Sequence, residues 1–169
     1  GFVYLQFANQ DARLTGIDLS GTARLAQAEG LGEISVSGVL GYVRGKNRAT
    51  GENLYNIMPL NAKLALTQRL GGWTGTLEWQ AVDAKTKVSS VRNEVATAGY
   101  GLVHLRGNYS WGRVRLEAGV ENLLDRFYNH PLGGAYLGQG RTMAATGVPW
   151  GVPVPGPGRS VYAGVTVTF

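Results

Sequence analysis

The feature that most restricts this chain is a two-residue alternation of apolar and polar side chains along most of its length. Successive side chains of a strand point to opposite faces, so each such run has one apolar and one polar face. In the clearest case Val114, Leu116, Ala118 and Val120 alternate with Arg115, Glu117, Gly119 and Glu121. Ile17, Leu19, Ala23 and Leu25 alternate with Asp18, Ser20, Thr22 and Arg24 in the same way. Further runs of this kind cover about Glu33–Tyr42, Leu60–Leu70, Trp73–Ala81, Gly101–Ser110 and Ser160–Phe169. A shorter run, Phe2–Ala8, is apolar on both faces. The pattern therefore predicts about eight strands.

The connections between these runs alternate in length. Tight turns are expected at Ala28–Leu31, Gly71–Gly72 and Trp111–Gly112, with long segments at about 46–58, 88–97 and 125–157. Two-residue loops fix hairpin register. Across Gly71–Gly72 this predicts Leu66 opposite Leu77 and Leu64 opposite Trp79. Across Trp111–Gly112 it predicts Leu105 opposite Ala118 and an ion pair between Arg106 and Glu117. Both hairpins keep their apolar residues on one face, as an up-and-down antiparallel sheet requires.

Two environments suit such a sheet. A soluble sandwich or lipocalin-like barrel would bury the apolar face in a dry core. A transmembrane barrel would turn it to lipid, with short turns on one edge, long loops on the other and aromatic girdles at the interfaces. The many charges of the polar face, among them Glu78, Arg106, Arg113 and Glu117, and the aromatics Trp73, Tyr109, Trp111 and Phe169 near the short-turn edge favour the barrel. The runs also exceed the ~9–11 residues that a tilted strand needs to cross a bilayer. Composition narrows the classes further. There is no cysteine, which excludes a disulfide scaffold, and no apolar run of ~18 residues, which excludes a membrane-crossing helix. The net charge of +5 comes from scattered Lys and Arg, without the clustered stripe of a nucleic-acid binder, so no nucleic acid is expected as a partner. The chain opens at Gly1 without Met or a signal-type stretch, which fits a mature or shortened segment.

The C-terminal motifs are more specific. Val161, Val165, Val167 and Phe169 form an alternating apolar strand face ending in Phe, which resembles the assembly signal of bacterial outer-membrane barrels. The segment Gly119-Val120-Glu121-Asn122-Leu123-Leu124-Asp125-Arg126-Phe127-Tyr128 resembles the penultimate-strand motif of TonB-dependent outer-membrane receptors. Pro157-Gly158-Arg159 resembles their entry into the last strand, and Gly99–Arg106 a further family strand, with His104 where Asp is common. Asn56-Ile57-Met58-Pro59-Leu60 is similar to another such step. The resemblance implies an all-β fold: an antiparallel up-and-down transmembrane β-barrel segment, about eight strands of a 22-stranded barrel closed by a plug. Residues 1–169 are then the C-terminal portion of the barrel, with the plug domain absent and TonB reached only through that missing region. The family-motif residues are Asn122, Leu123, Asp125, Tyr128, Gly158 and Arg159. The implied function is TonB-coupled uptake of a scarce substrate such as a metal or metal chelate. Outer-membrane lipid, lipopolysaccharide and the barrel assembly machinery are the implied partners. A complete eight-stranded outer-membrane protein with a passive structural or adhesive role is the alternative.

Chemistry-bearing residues are few. The last long loop, with His130 and Met143, is most similar to the copper-receptor subgroup, and soft thioethers suit Cu(I). His130, Met143 and Met58 are therefore the candidate copper ligands, although no short-spaced ligand motif joins them. Arg106 and Glu117 are the expected lumen ion pair. No G-x-S-x-G elbow or H-E-x-x-H motif occurs, so neither an enzyme nor a resident cofactor is expected.

Overall fold

The computed structural model of the chain describes residues 9–136 and 151–169. Its strands are β1 (Ala12–Ala28), β2 (Gly32–Asn47), β3 (Asn61–Leu70), β4 (Trp73–Val82) and β5 (Tyr100–Trp111), then β6 (Val114–Glu121), β7 (Ala135–Tyr136), β8 (Val152–Pro153) and β9 (Ser160–Val167). Seven of them form one antiparallel sheet in the order β1-β2-β3-β4-β5-β6-β9, while β7 and β8 pair separately inside the last long loop. The strand expected at 2–8 lies outside the described residues. β1 and β9 are the two edges, so the sheet is an open piece of barrel wall.

Turn chemistry sets the register. Gly71 (φ 56°) and Gly112 (φ 58°) are the first central residues of two-residue hairpins, and each is followed by a residue with negative φ. That is the pattern of a type II′ turn, whose first central position strongly favours glycine. For β3–β4 the result is Leu66 opposite Leu77 and Leu64 opposite Trp79, as the sequence predicts. For β5–β6 the expectation needs correction. The turn is Gly112–Arg113, because Gly112 must occupy the first central position, and Trp111 therefore pairs with Val114. Leu105 then faces Val120 rather than Ala118, and Arg106 lies opposite Gly119 rather than Glu117. The slip is two residues along one strand, an even number, so every side chain stays on its predicted face. In β1 a bulge at Leu25 shifts the pairing between Arg24 and Ala26.

The sheet carries little core. Ile17, Leu64, Leu116 and Val165, all on the apolar face, are between 48 and 67% exposed, and no second layer among the described residues covers them. Along β4 that face runs from Trp73 to Ala81, about 27 Å of strand. This is of the same order as the ~25 Å apolar band of outer-membrane barrels. The opposite face carries Lys63, Thr76, Glu78, Arg106 and Glu117. Among the described residues only Val82, Tyr100 and Leu102 form a buried apolar cluster, with Met58 and Tyr128 packed against it. It sits on the polar-face side at the long-loop end, where the loops fold over the wall.

Candidate functional site

Two clusters stand on the face that a barrel turns to its lumen. The first is a charged row across β4, β5 and β6. Arg106 donates through Nε to Glu121 Oε1 at 2.7 Å and through Nη2 to Glu121 Oε2 at 3.0 Å. Its Nη1 also lies 3.3 Å from Glu78 Oε2. The fork geometry matches a carboxylate with two parallel bonds, an arrangement only arginine provides. His104, buried two positions along β5, places Nδ1 against the same Glu121 carboxylate, and its Nε2 has no partner among the described residues. The expected Arg106–Glu117 pair is thus replaced by Arg106–Glu121. Glu117 lies opposite Asn108 and packs along Gly164. The two-residue register slip is the physical reason.

The second cluster ties the outer loops together. Lys85 and Glu94, both in the β4–β5 loop, form a buried ion pair with Nζ to Oε1 at 2.5 Å. Lys85 also donates to the Pro131 carbonyl of the β6–β9 loop at 3.0 Å. Glu94 accepts the backbone N–H of Asn56, from the β2–β3 loop, at 2.9 Å and that of Ser89 at 2.8 Å. One ion pair therefore binds three loops. Neither residue stood out in the sequence. Only Lys85 and Glu94 standing nine apart in a loop between strands hinted at a pair, and spacing in an irregular segment carries no geometry.

The motif residues meet at the rim where β6 ends and β9 begins. Asn122, buried and left-handed at φ 50°, accepts the Arg126 N–H at 2.8 Å and donates to the Arg126 carbonyl at 2.9 Å and the Pro157 carbonyl at 3.3 Å. Asp125, also left-handed at φ 52°, accepts the Arg159 N–H at 2.9 Å. Leu123 donates its N–H to the Val103 carbonyl at 2.7 Å. Tyr128 stacks at 4.4 Å on Tyr100 and covers Gly156. Burial pushes the Tyr128 hydroxyl above its ordinary pKa. Gly158 brings the chain close to the Asp125 carboxylate. Asn and Asp tolerate the left-handed region because their short side chains bond locally, which explains why these residue types stand here. The two motifs form one clamp joining the last strand to its neighbour.

The comparisons with known proteins bear on this architecture. The family model described as "TonB dependent receptor-like, beta-barrel" matches residues 1–123. The chain belongs to the TonB-dependent receptor family. Members of that family are outer-membrane barrels, and the exposed apolar face of this sheet is accordingly its lipid face. Among solved structures, the protein titled "Copper transporter OprC" is similar at 31% identity with a TM-score of 0.81, over 95% of this chain. The ferric yersiniabactin uptake receptor FyuA from Yersinia pestis shares the fold, at 17% identity, a TM-score of 0.69 and 94% of this chain. This receptor segment spans 24% of the length of each. No curated protein sequence matches the chain.

The remaining expected residues fall as follows. Val161, Val165 and Val167 lie on the lipid face of β9, opposite Val120, Leu116 and Val114, and Phe169 is fully exposed beyond the strand. Met58 is half-buried against the apolar cluster. His130 is exposed in the β6–β9 loop, and its Nδ1 accepts the Leu132 N–H at 3.3 Å, which leaves Nε2 for other partners. Met143 lies outside the described residues. Among those described, no three His, Cys, Asp or Glu side chains gather as a metal site.

Proposed function

We propose that this segment is part of an active transporter that takes up a metal, metal chelate or similarly scarce substrate across the outer membrane, driven through TonB. Within it the segment supplies lumen wall, outer loops and a terminal strand that presents Val161, Val165, Val167 and Phe169 to the assembly machinery. The observation that carries the reading is the division of the sheet: one face bare and apolar, the other a charged wall capped by interlocked loops. A charged lumen face suits a wide, wet interior. In a dry core the same side chains would carry a large desolvation cost.

Copper is the first substrate to test, on the strength of the 31% identity to a protein titled a copper transporter. His130, Met58 and Met143 are the candidate contacts this segment would offer it. The test uses the intact receptor in its own membrane. Uptake of labelled copper and of a panel of metal chelates is measured with and without TonB. TonB-dependent uptake of one of them is the expected result, and equal uptake in a strain lacking TonB refutes the coupling. Loss of copper uptake in His130→Ala, with surface level unchanged, supports a contact at the loop.

A further inference from the structure

One ring nitrogen of the lumen wall is claimed by two partners. His104 Nδ1 accepts the backbone N–H of Asn122 at 3.3 Å and also touches the Glu121 carboxylate. The two partners ask opposite things of it. An amide N–H needs a lone pair on Nδ1, whereas a carboxylate needs a proton there. Arg106 donates to both oxygens of Glu121, so both are acceptors and neither brings the proton. His104 can therefore satisfy Asn122 or Glu121 but not both. In an imidazole the bond made by one nitrogen sets the proton on the other. Here Nε2 is buried without a partner among the described residues and sets nothing. Neutral imidazole can carry its single proton on Nε2 and leave Nδ1 to Asn122. A second proton removes that option.

The two partners belong to different structures. Glu121 is part of the charged row, and Asn122, next in the chain, begins the rim clamp. Asn122 is buried, and its side chain holds the Arg126 and Pro157 backbone at the root of the β6–β9 loop. With Nδ1 unprotonated, the Asn122 N–H is bonded and this hinge is pinned to β5. With Nδ1 protonated, the ring donates to Glu121 and meets the Asn122 N–H donor to donor. A buried backbone N–H without an acceptor is unfavourable, so the hinge must shift. The charged groups facing the ring are Glu78, directly opposite on β4, Glu121 of β6 and Arg106 of β5. Two carboxylates and one guanidinium sum to −1, and an imidazolium brings the group to zero. Lys63 of β3 lies beyond β4, opposite Gln80. Asp125 of the β6–β9 loop is engaged by Arg159, and Lys85 of the β4–β5 loop by Glu94. Tyr100 and Tyr128, on the loop side, are of a kind that keeps its proton near neutral pH.

We propose that His104 is a proton-operated catch: the neutral ring holds Asn122 and the hinge of the β6–β9 loop, and the protonated ring lets go of Asn122 and takes Glu121. Imidazole is the side chain whose ordinary charge change falls within about pH 5–8, so such a catch answers the acidity of the water in the lumen. The inference rests on the geometry around His104 and is independent of what the receptor carries.

The test is hydrogen–deuterium exchange with mass spectrometry on the intact receptor in detergent, taken from about pH 8 to about pH 5. Labelling times are scaled to the intrinsic pH dependence of amide exchange. In wild type the peptide spanning Gly119–Tyr128 should lose protection by about threefold to tenfold on acidification, the size that a lost backbone hydrogen bond gives. The β3–β4 hairpin around Gly71 should not change. His104→Asn, whose amide oxygen stands in for Nδ1 and does not titrate, should stay protected at both ends of the range. His130 is the other imidazole of the segment, and His130→Ala should respond as wild type does. No change in wild type, an equal change in the β3–β4 hairpin, or loss of the response in His130→Ala overturns the catch. So does a response of His104→Asn equal to that of wild type. If His104→Asn fails to fold, the wild-type profile and His130→Ala decide. Uptake is not read, so failure of the transport reading stays separate.

Discussion

Lys85 and Glu94 form the most buried ion pair of the described chain, with 2 and 6% of their side chains exposed, in a loop between two strands. Two buried charges repay their desolvation only with close geometry and further hydrogen bonds. Both conditions hold: Nζ has a second acceptor at Pro131, and the carboxylate has two backbone donors. Replacing Glu94 by Leu strands the ammonium and frees the Asn56 and Ser89 N–H groups. The expected cost is about 3–5 kcal/mol to the loop cluster. Lys85→Met is milder, because the carboxylate keeps its two backbone donors. Limited proteolysis of the outer loops on intact cells reads both, and equal sensitivity of the two variants argues against the pairing described.

Arg106 supplies a second test, because two registers assign it different partners. With Arg106 bonded to Glu121 and Glu78, Glu121→Ala should lower the thermal unfolding temperature of the barrel, and Glu117→Ala should leave it near the wild-type value. Lys in place of Arg106 should rescue little, since a point charge cannot reproduce the two-pronged contact. Arg106→Ala leaves Glu78 and Glu121 facing each other without a cation and should be the worst of the series. A Glu117→Ala effect matching Glu121→Ala would restore the register read from sequence.

That register error shows what was legible and what was not. The faces of Leu64, Trp79, Leu105 and Val165 follow from alternation alone, because burial on one side leaves no freedom to rotate a strand by one residue. A slip of two residues keeps every face, so the pattern cannot distinguish Arg106–Glu117 from Arg106–Glu121. What decides is Gly112, whose φ of 58° fixes the turn position. Alternation alone is equally compatible with Trp111 in the turn or in the strand. The Asn122 and Asp125 motif was visible as a resemblance, but its role as a clamp was not. The bonds to Arg126 and Pro157 need backbone conformations that the sequence does not display. The Lys85–Glu94 pair was invisible because it depends on how three loops fold together.

The clamp itself makes a graded prediction. Asn122→Ala removes one acceptor and two donor contacts at a buried site and places a residue with no local bond in the left-handed region. Together these should cost roughly 2–4 kcal/mol. Asn122→Gly relieves the backbone strain but still lacks the contacts, and should fall between the two. Asn122→Asp keeps the bond from the Arg126 N–H and loses both donated ones. Urea denaturation of the refolded intact receptor gives the order wild type, Asn122→Gly, Asn122→Ala. If Asn122→Ala is as stable as wild type, the side-chain contacts do not hold the rim.

Close approach of glycine to aromatic rings makes the last prediction. A Cβ on Gly156 would stand 2.1 Å from the Tyr128 ring, and one on Gly119 would stand 2.6 Å from the Tyr162 ring. The two rings differ in freedom: Tyr128 packs on Tyr100, whereas Tyr162 is 40% exposed and meets the Gly119 position only with the far end of its side chain. Alanine at Gly156 must push Tyr128 off Tyr100 and should destabilise the barrel by about 1–3 kcal/mol, and alanine at Gly119, whose tyrosine can swing aside, should cost less. Gly21, in the middle of β1, has nothing within 4 Å of the same point and does not need positive φ. Alanine there removes flexibility from the unfolded chain without a clash and should be neutral or stabilising by about 0.4–1 kcal/mol. The three single variants, compared by heat-modifiable mobility on gels, separate ring-covered glycines from merely small ones. An equal loss at Gly21 would mean that backbone conformation, and not the rings, sets the requirement.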